Sequence, residues 1–193
     1  KAYHELFIAE NAIPSEMILA RQYDASVPFV HSANFYILSA SYGRPGMQKS
    51  LVNSYLMKDG SRFTDQANYR TMQFYDEMQN RDPRLAQTIR TPGYKRIGSN
   101  SSTVPDFATS VTGYQYSKYI LAPAFDAGQS TNDMPIFRYA EVLLNFAEAK
   151  AELGTLTQAD IDHRHWTVES GSAFSLASEN FTPSSSRTAC WPV

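Results

Sequence analysis

Between Phe29 and Met47 the chain sets Asn34, Phe35, Tyr36, Tyr42 and Arg44 in a stretch with neither helical nor strand periodicity. Sugar rings present flat C–H faces that stack on aromatic side chains, and their hydroxyls need amide and guanidinium partners. These five residues supply both kinds of group, so the chemistry they suit is carbohydrate binding. The alternative is that the aromatic rings simply pack beneath a long loop, and residue types alone do not separate the two. Long ordered loops in compact domains are nonetheless where binding residues concentrate.

Other reactive side chains are placed less favourably. His163-x-His165 has the look of a metal-binding pair, but no third ligand follows, and His4 and His31 lie far apart without a Glu-x-x-His setting. Nucleophile elbow, P-loop and dinucleotide glycine fingerprints are absent, so no metal or cofactor is called for. Asp76-Glu77 and Glu148 with Glu152 could supply a glycosidase's two carboxylates, but we expect them on the solvent faces of helices and not facing each other across a cleft. Arg81, Arg84 and Arg138 could be read as ligand-binding cations. The expectation is a protein that binds and does not catalyse.

The composition excludes further classes. Seventeen basic and nineteen acidic residues, with no basic block, leave a net charge of −2 and give no electrostatic footprint for nucleic acid. No apolar run reaches the length of a membrane span. Lys1 is not an initiator and no signal peptide follows, so the native start is expected upstream. A single cysteine, Cys190, forbids an internal disulfide. Twelve Tyr, eleven Phe and two Trp suit a sugar-binding surface and a core under loops equally well.

The elements that must position these groups are unevenly marked. Leu6-Phe7-Ile8 and Met17-Ile18-Leu19 read as strands or a hairpin around the turn signal Asn11-Ala12-Ile13-Pro14. Residues 26–50 read as a long ordered loop. A short helix is expected from Asn53, and Thr64 is expected to cap a helix from Asp65 to about Asn80, with Tyr69, Met72, Tyr75 and Met78 on one face. Thr112 to Tyr116 with Lys118-Tyr119 reads as a strand in a loop-rich region.

The strongest pattern runs from Asp133 to Gly154. Ile136, Tyr139, Ala140, Leu143, Phe146, Ala147 and Leu153 follow helical spacing, against Arg138, Glu141, Asn145, Glu148 and Glu152 on the other side. We expect one amphipathic helix, capped by Asp133, opened by Pro135 and stopped by Gly154. Thr157-Gln158-Ala159-Asp160 then has the form of a capping box, which makes a helical hairpin. One hairpin cannot bury its own apolar face, so exposed apolar surface is predicted for this chain alone.

The wording of that helix, Pro-x-x-Arg-Tyr-Ala-Glu-x-Leu-Leu-x-x-Ala-Glu-Ala, resembles the SusD/RagB family of outer-membrane nutrient-binding lipoproteins of Bacteroidetes. Three further segments agree in the family's order: Ser15 to Tyr23, Asn53 to Gly60, and Asn80 to Leu85. The resemblance covers roughly residues 1–162, the C-terminal portion of a SusD-like domain. It implies a mainly α fold of tetratricopeptide-like helical hairpins with long ordered loops and a few short β-strands, and an architectural role for Arg81-Asp82-Pro83-Arg84 and Arg138, with Asp82 capping a turn. It also implies capture of a polysaccharide or oligosaccharide for a SusC-like TonB-dependent outer-membrane transporter, over which the protein acts as a lid. The implied location is the outer membrane's surface, with a lipid anchor on an N-terminal cysteine that this chain lacks. A rival reading from the hairpin alone is a non-catalytic helical-repeat scaffold for protein partners.

Residues 163–193 break the pattern. His163 to Glu169 have no helical period, whereas shifting their codons forward by one base permits Ile or Thr, Val, Ile, Gly, Leu, Leu, Arg, an apolar run ending in arginine. We therefore expect an aberrant tail from a frameshift in the source gene, with a disordered tail as the alternative.

Overall fold

The computed structural model describes residues 2–161; the His163-x-His165 pair, Cys190 and the proposed frameshift fall outside them. The longest helix, α5, spans Tyr139–Glu152, and the others run four to six residues: α1 at Ala2–Glu5, α2 at Ala33–Leu38, α3 at Lys49–Ser54 and α4 at Phe74–Glu77. Two strands, β1 at Met17–Arg21 and β2 at Met134–Arg138, pair antiparallel. The rest is irregular backbone fastened by short 3-10 turns and isolated bridges. Helix is thus present but concentrated in α5, and the described residues show α5 followed by the first turn of one more helix where the fold expectation was an array of helical hairpins.

The predicted helix over 133–154 starts six residues late. Residues 134–138 are strand, with Met17 opposite Arg138 and Arg21 opposite Met134. Pro135 drives Met134 to extended backbone, and a two-stranded sheet consists only of edges, where a proline's missing N–H does no harm. Met17–Leu19 was expected to pair locally; its partner lies more than a hundred residues downstream. Asp133 caps nothing in α5. Its carboxylate, buried, accepts the N–H groups of Ala12 at 2.8 Å and Tyr23 at 3.2 Å. The helix is capped instead by Glu16, whose carbonyl accepts Tyr139 N–H at 2.7 Å and whose carboxylate accepts Ala140 N–H at 3.4 Å.

The far end of α5 follows its sequence signals. Gly154 takes φ +66, Gly154 N–H bonds Ala151 C=O at 3.0 Å and Thr155 N–H reaches Lys150 C=O at 2.9 Å, the paired bonds of a Schellman stop. The next helix opens at residue 158, and its capping box closes with Asp160 Oδ2 accepting Thr157 N–H at 2.8 Å and Thr157 Oγ1–H at 2.6 Å.

Two other expected elements differ. Leu6-Phe7-Ile8 is a turn leaving α1, with Phe7 buried edge-on against Tyr3 and Tyr119. The helix expected over 65–80 shrinks to α4. Asn68 competes for its own backbone and Thr71 is β-branched, both of which weaken a helix, and Asn80 at φ +54 closes the segment. Residues 114–117 do extend, but as isolated bridges threaded between Gly46 and Ile89.

The core gathers Met47, Val52, Met78, Leu85, Ile89 and Tyr114. Each fully buried aliphatic here contributes about 1.5–3 kcal/mol. Arg81 runs through it as a brace. Its guanidinium donates to the carbonyls of Glu77, Val52 and Tyr55 and lies 3.9 Å from the Phe63 ring centroid. That confirms an architectural role, as does Asp82, which accepts Arg84 N–H at 2.8 Å and pairs with its guanidinium. The solvent face expected for Asp76-Glu77 is corrected at Glu77. That side chain is 2% exposed and accepts Tyr114 O–H at 2.9 Å and Lys49 Nζ at 3.0 Å. Val142, Leu144 and Phe146 on α5 and Leu153 just past its end stand exposed, as do Ile136 and Phe137 on β2.

Candidate carbohydrate-binding surface

Helix α2 begins after Ser32 and projects Phe35 and Tyr36 from successive positions, while the turn at 41–45 brings Tyr42 back against them. The three rings touch one another. Phe35 and Tyr36 lie 5.6 Å apart edge-on, Phe35 and Tyr42 5.3 Å apart, and Tyr36 and Tyr42 5.5 Å apart at 88°. Phe35 is half-buried beneath, and Tyr36 and Tyr42 are 52% and 50% exposed. Tyr36, Ser41, Tyr42, Gly43 and Pro45 line an open depression of about 440 Å³.

Asn34 lies behind this surface. It is fully buried; its Nδ2 donates to Asp126 Oδ1 at 2.7 Å and its Oδ1 accepts Leu121 N–H at 2.9 Å. Both ends of the amide are spent on the loop 121–128, so Asn34 anchors α2 from below. Arg96 completes the anchor, donating to Asp126 Oδ2 at 2.9 Å and to Leu121 C=O at 2.8 Å. The Arg96 guanidinium beside Asp126 holds its carboxyl below the usual carboxylate range.

Arg44 closes the turn. It takes φ +47 directly after Gly43 at φ +60, and its guanidinium donates to Phe107 C=O. The structure therefore brings Phe35, Tyr36 and Tyr42 together, sets Arg44 at the edge of the same turn and buries Asn34 underneath. Ser41 and Pro45 in the lining, and Asp126 with Arg96 in the anchor, were not singled out from the sequence. Nothing in their local pattern marks them, because the anchor spans 92 residues between Asn34 and Asp126.

The remaining reactive groups are structural. His4 donates from Nε2 to Ser117 C=O at 2.9 Å, and burial pushes its pKa down. His31 contacts the Asn132 carbonyl and side-chain oxygen, both at 3.0 Å. Among the described residues no group of three or more His, Cys, Asp or Glu side chains is arranged to hold a metal, and no helix is long and apolar enough to cross a membrane. Glu148 and Glu152 are exposed on α5, and Glu77 is locked in the core.

Among curated proteins and solved structures nothing matches this sequence. A family model does: that of the SusD family, over residues 16–163, which takes in the core, the aromatic surface, both strands and α5. The match extends over well over half of the chain, and the protein belongs to the SusD family.

Proposed function

We propose that this chain binds a glycan on the surface formed by Phe35, Tyr36 and Tyr42, with Arg44 at its edge. Membership of the SusD family carries a nutrient-binding, outer-membrane-associated role that is generally non-catalytic. The observation that supports this particular surface is the mutual contact of three aromatic rings, two of them half-exposed, beside an open depression. Stacking on Tyr36 and Tyr42 would hold ring faces, while the Ser41 hydroxyl and the Arg44 guanidinium would meet hydroxyls. Asn34 serves as the anchor and not as a contact.

In this reading the protein is lipid-anchored at the outer surface and passes a polysaccharide or oligosaccharide to a SusC-like TonB-dependent transporter. The test is affinity electrophoresis against a panel of polysaccharides. Retardation that is weakened in Tyr36→Ala and in Tyr42→Ala supports the reading, and retardation indifferent to both overturns this site. A protein-binding scaffold is the second reading, favoured by the exposed Val142, Leu144 and Phe146 on α5 and Leu153 just past it. It predicts no retardation by any polysaccharide.

A further inference from the structure

Residues 88–90 lie antiparallel to 115–117, with Arg90 N–H bonding Gln115 C=O and Ser117 N–H bonding Thr88 C=O, each at 2.9 Å. Arg90 therefore stands opposite Gln115, and directly opposed residues share a face. The Gln115 amide is turned to other partners: Oε1 accepts Asp106 N–H at 3.0 Å and Nε2 donates to Thr109 Oγ1 at 2.6 Å.

Arg44, Arg81 and Arg90 each bury Nε without an acceptor among the described residues. Arg44 and Arg81 still donate through Nη, Arg44 to Phe107 C=O and Arg81 to three carbonyls. Arg90 is different. Only 9% exposed, it has no hydrogen-bond acceptor for its guanidinium and no ion pair among the described residues. The acids nearest in its surroundings are engaged elsewhere, Asp126 by Arg96 and Asp106 Oδ1 by Ala108 N–H at 2.8 Å. Burial, with Arg96 adding repulsion, pulls the Arg90 pKa below the ordinary arginine value. A buried cation without a partner destabilises a fold, so its presence calls for an anion that arrives from outside.

The setting is open and held in place. The two Nη nitrogens, unlike Nε, are not closed off from solvent. Tyr94 bounds one side, its ring centroid 5.5 Å from Arg90 Cζ, and its backbone is fixed by Tyr94 N–H on Thr91 C=O at 3.0 Å and by Thr103 N–H on Tyr94 C=O at 2.9 Å. A guanidinium edge with parallel N–H groups matches the two oxygens of a carboxylate, and low-dielectric surroundings strengthen the pair.

We propose that Arg90 is a receptor for a carboxylate, and that the ligand carrying it is an acidic sugar, a uronic acid unit. The sugar rests on the glycan reading above, whereas the charge rests on Arg90. The rings of Phe35, Tyr36 and Tyr42 take no part in this contact.

The test follows the Arg90 Nε–H signal in proton–nitrogen correlation spectra of the whole chain, identified by its absence from Arg90→Lys. Sodium D-galacturonate is expected to shift it saturably, with half-saturation on the order of 1–10 mM for one charged pair. D-galactose in sodium chloride of equal ionic strength is expected to leave it in place. Arg90→Met is expected to abolish galacturonate binding, read from the ligand's own signals, and to unfold in urea at an equal or higher midpoint, because an unpaired charge leaves the interior. A lower midpoint marks Arg90 as a structural brace and overturns the inference. So does an Arg90 signal unmoved by galacturonate, or one that sodium sulfate moves as far. Tyr42→Ala is expected to keep the full galacturonate response, so failure of the aromatic surface to hold polysaccharide and failure of this subsite are read separately.

Discussion

Glu16 Oε1 lies 3.2 Å from Arg138 Nη1, joining the start of β1 to the end of β2 across 122 residues of sequence. The same carboxylate receives Ala140 N–H, so one side chain balances a cation and caps the first turn of α5. Acids at a helix N-terminus are favoured by the backbone N–H groups that lack intrahelical partners.

Removing that side chain is therefore expected to act on both elements. Glu16→Ala should lower stability by about 1–2 kcal/mol, the sum of a lost cap and a partly buried ion pair. Glu16→Gln, which still accepts from Ala140, should cost less than half as much. Urea denaturation of the three proteins checks this; equal stability of Glu16→Ala and the unsubstituted chain would show that α5 needs no cap.

Gly46 packs directly against two side-chain hydroxyls. A Cβ there would stand 2.2 Å from Thr112 Oγ1 and 2.4 Å from Ser110 Oγ, and Gly46 pairs with Gln115 in an isolated bridge. Gly46→Ala is expected to destabilise by about 1–3 kcal/mol through overpacking. Thr112→Ala combined with Ser110→Ala should restore part of that loss in a double-mutant cycle. Additive losses would mean that the clash is absorbed elsewhere.

The sequence was most informative where local rules decide the outcome. Gly154 and Thr157 to Asp160 end one helix and open the next through contacts within a few residues, and both formed as expected. Phe35, Tyr36 and Tyr42 were legible as candidates, but their contact was not, because it depends on helix α2 forming inside the stretch read as a loop. The start of α5 was not legible. Ile136 fits helical spacing, yet pairing of residues 134–138 with β1 claimed it, and periodicity over one segment carries no trace of a strand far upstream. Glu77 was misplaced on a solvent face because its partners, Lys49 and Tyr114, are distant in sequence.

Glu77 tests the value of that buried contact. Glu77→Ala would leave the Tyr114 hydroxyl without its acceptor in a buried setting and leave Lys49 with the Tyr114 hydroxyl, at 3.0 Å, in place of a carboxylate. The expected loss is about 2–4 kcal/mol. Lys49 is 44% exposed at its side chain, so Lys49→Met should cost less than Glu77→Ala, although it leaves the buried Glu77 carboxylate without its ammonium. Thermal unfolding of both variants separates the two, and a larger loss in Lys49→Met than in Glu77→Ala would contradict this ranking.

Lys118 provides a pH dependence with a definite sign. Its Nζ lies 4.0 Å from the Phe7 ring centroid and 5.2 Å from that of Tyr3. Burial, with Arg138 nearby adding repulsion, lowers its pKa to about 8. The unfolded chain, with an ordinary lysine value near 10.4, binds more protons than the folded one between these limits. Stability should therefore rise as pH increases from about 8 toward 10.4, by roughly 1–3 kcal/mol for this group alone. Below pH 8 the charged amine is carried at a cost in the folded state, which Lys118→Met removes. That variant is expected to be more stable than the unsubstituted chain at pH 7 and to lose the advantage by pH 10. Chemical denaturation at the two pH values reads this directly, and a constant difference between the two proteins would mean that Lys118 titrates as it does in water.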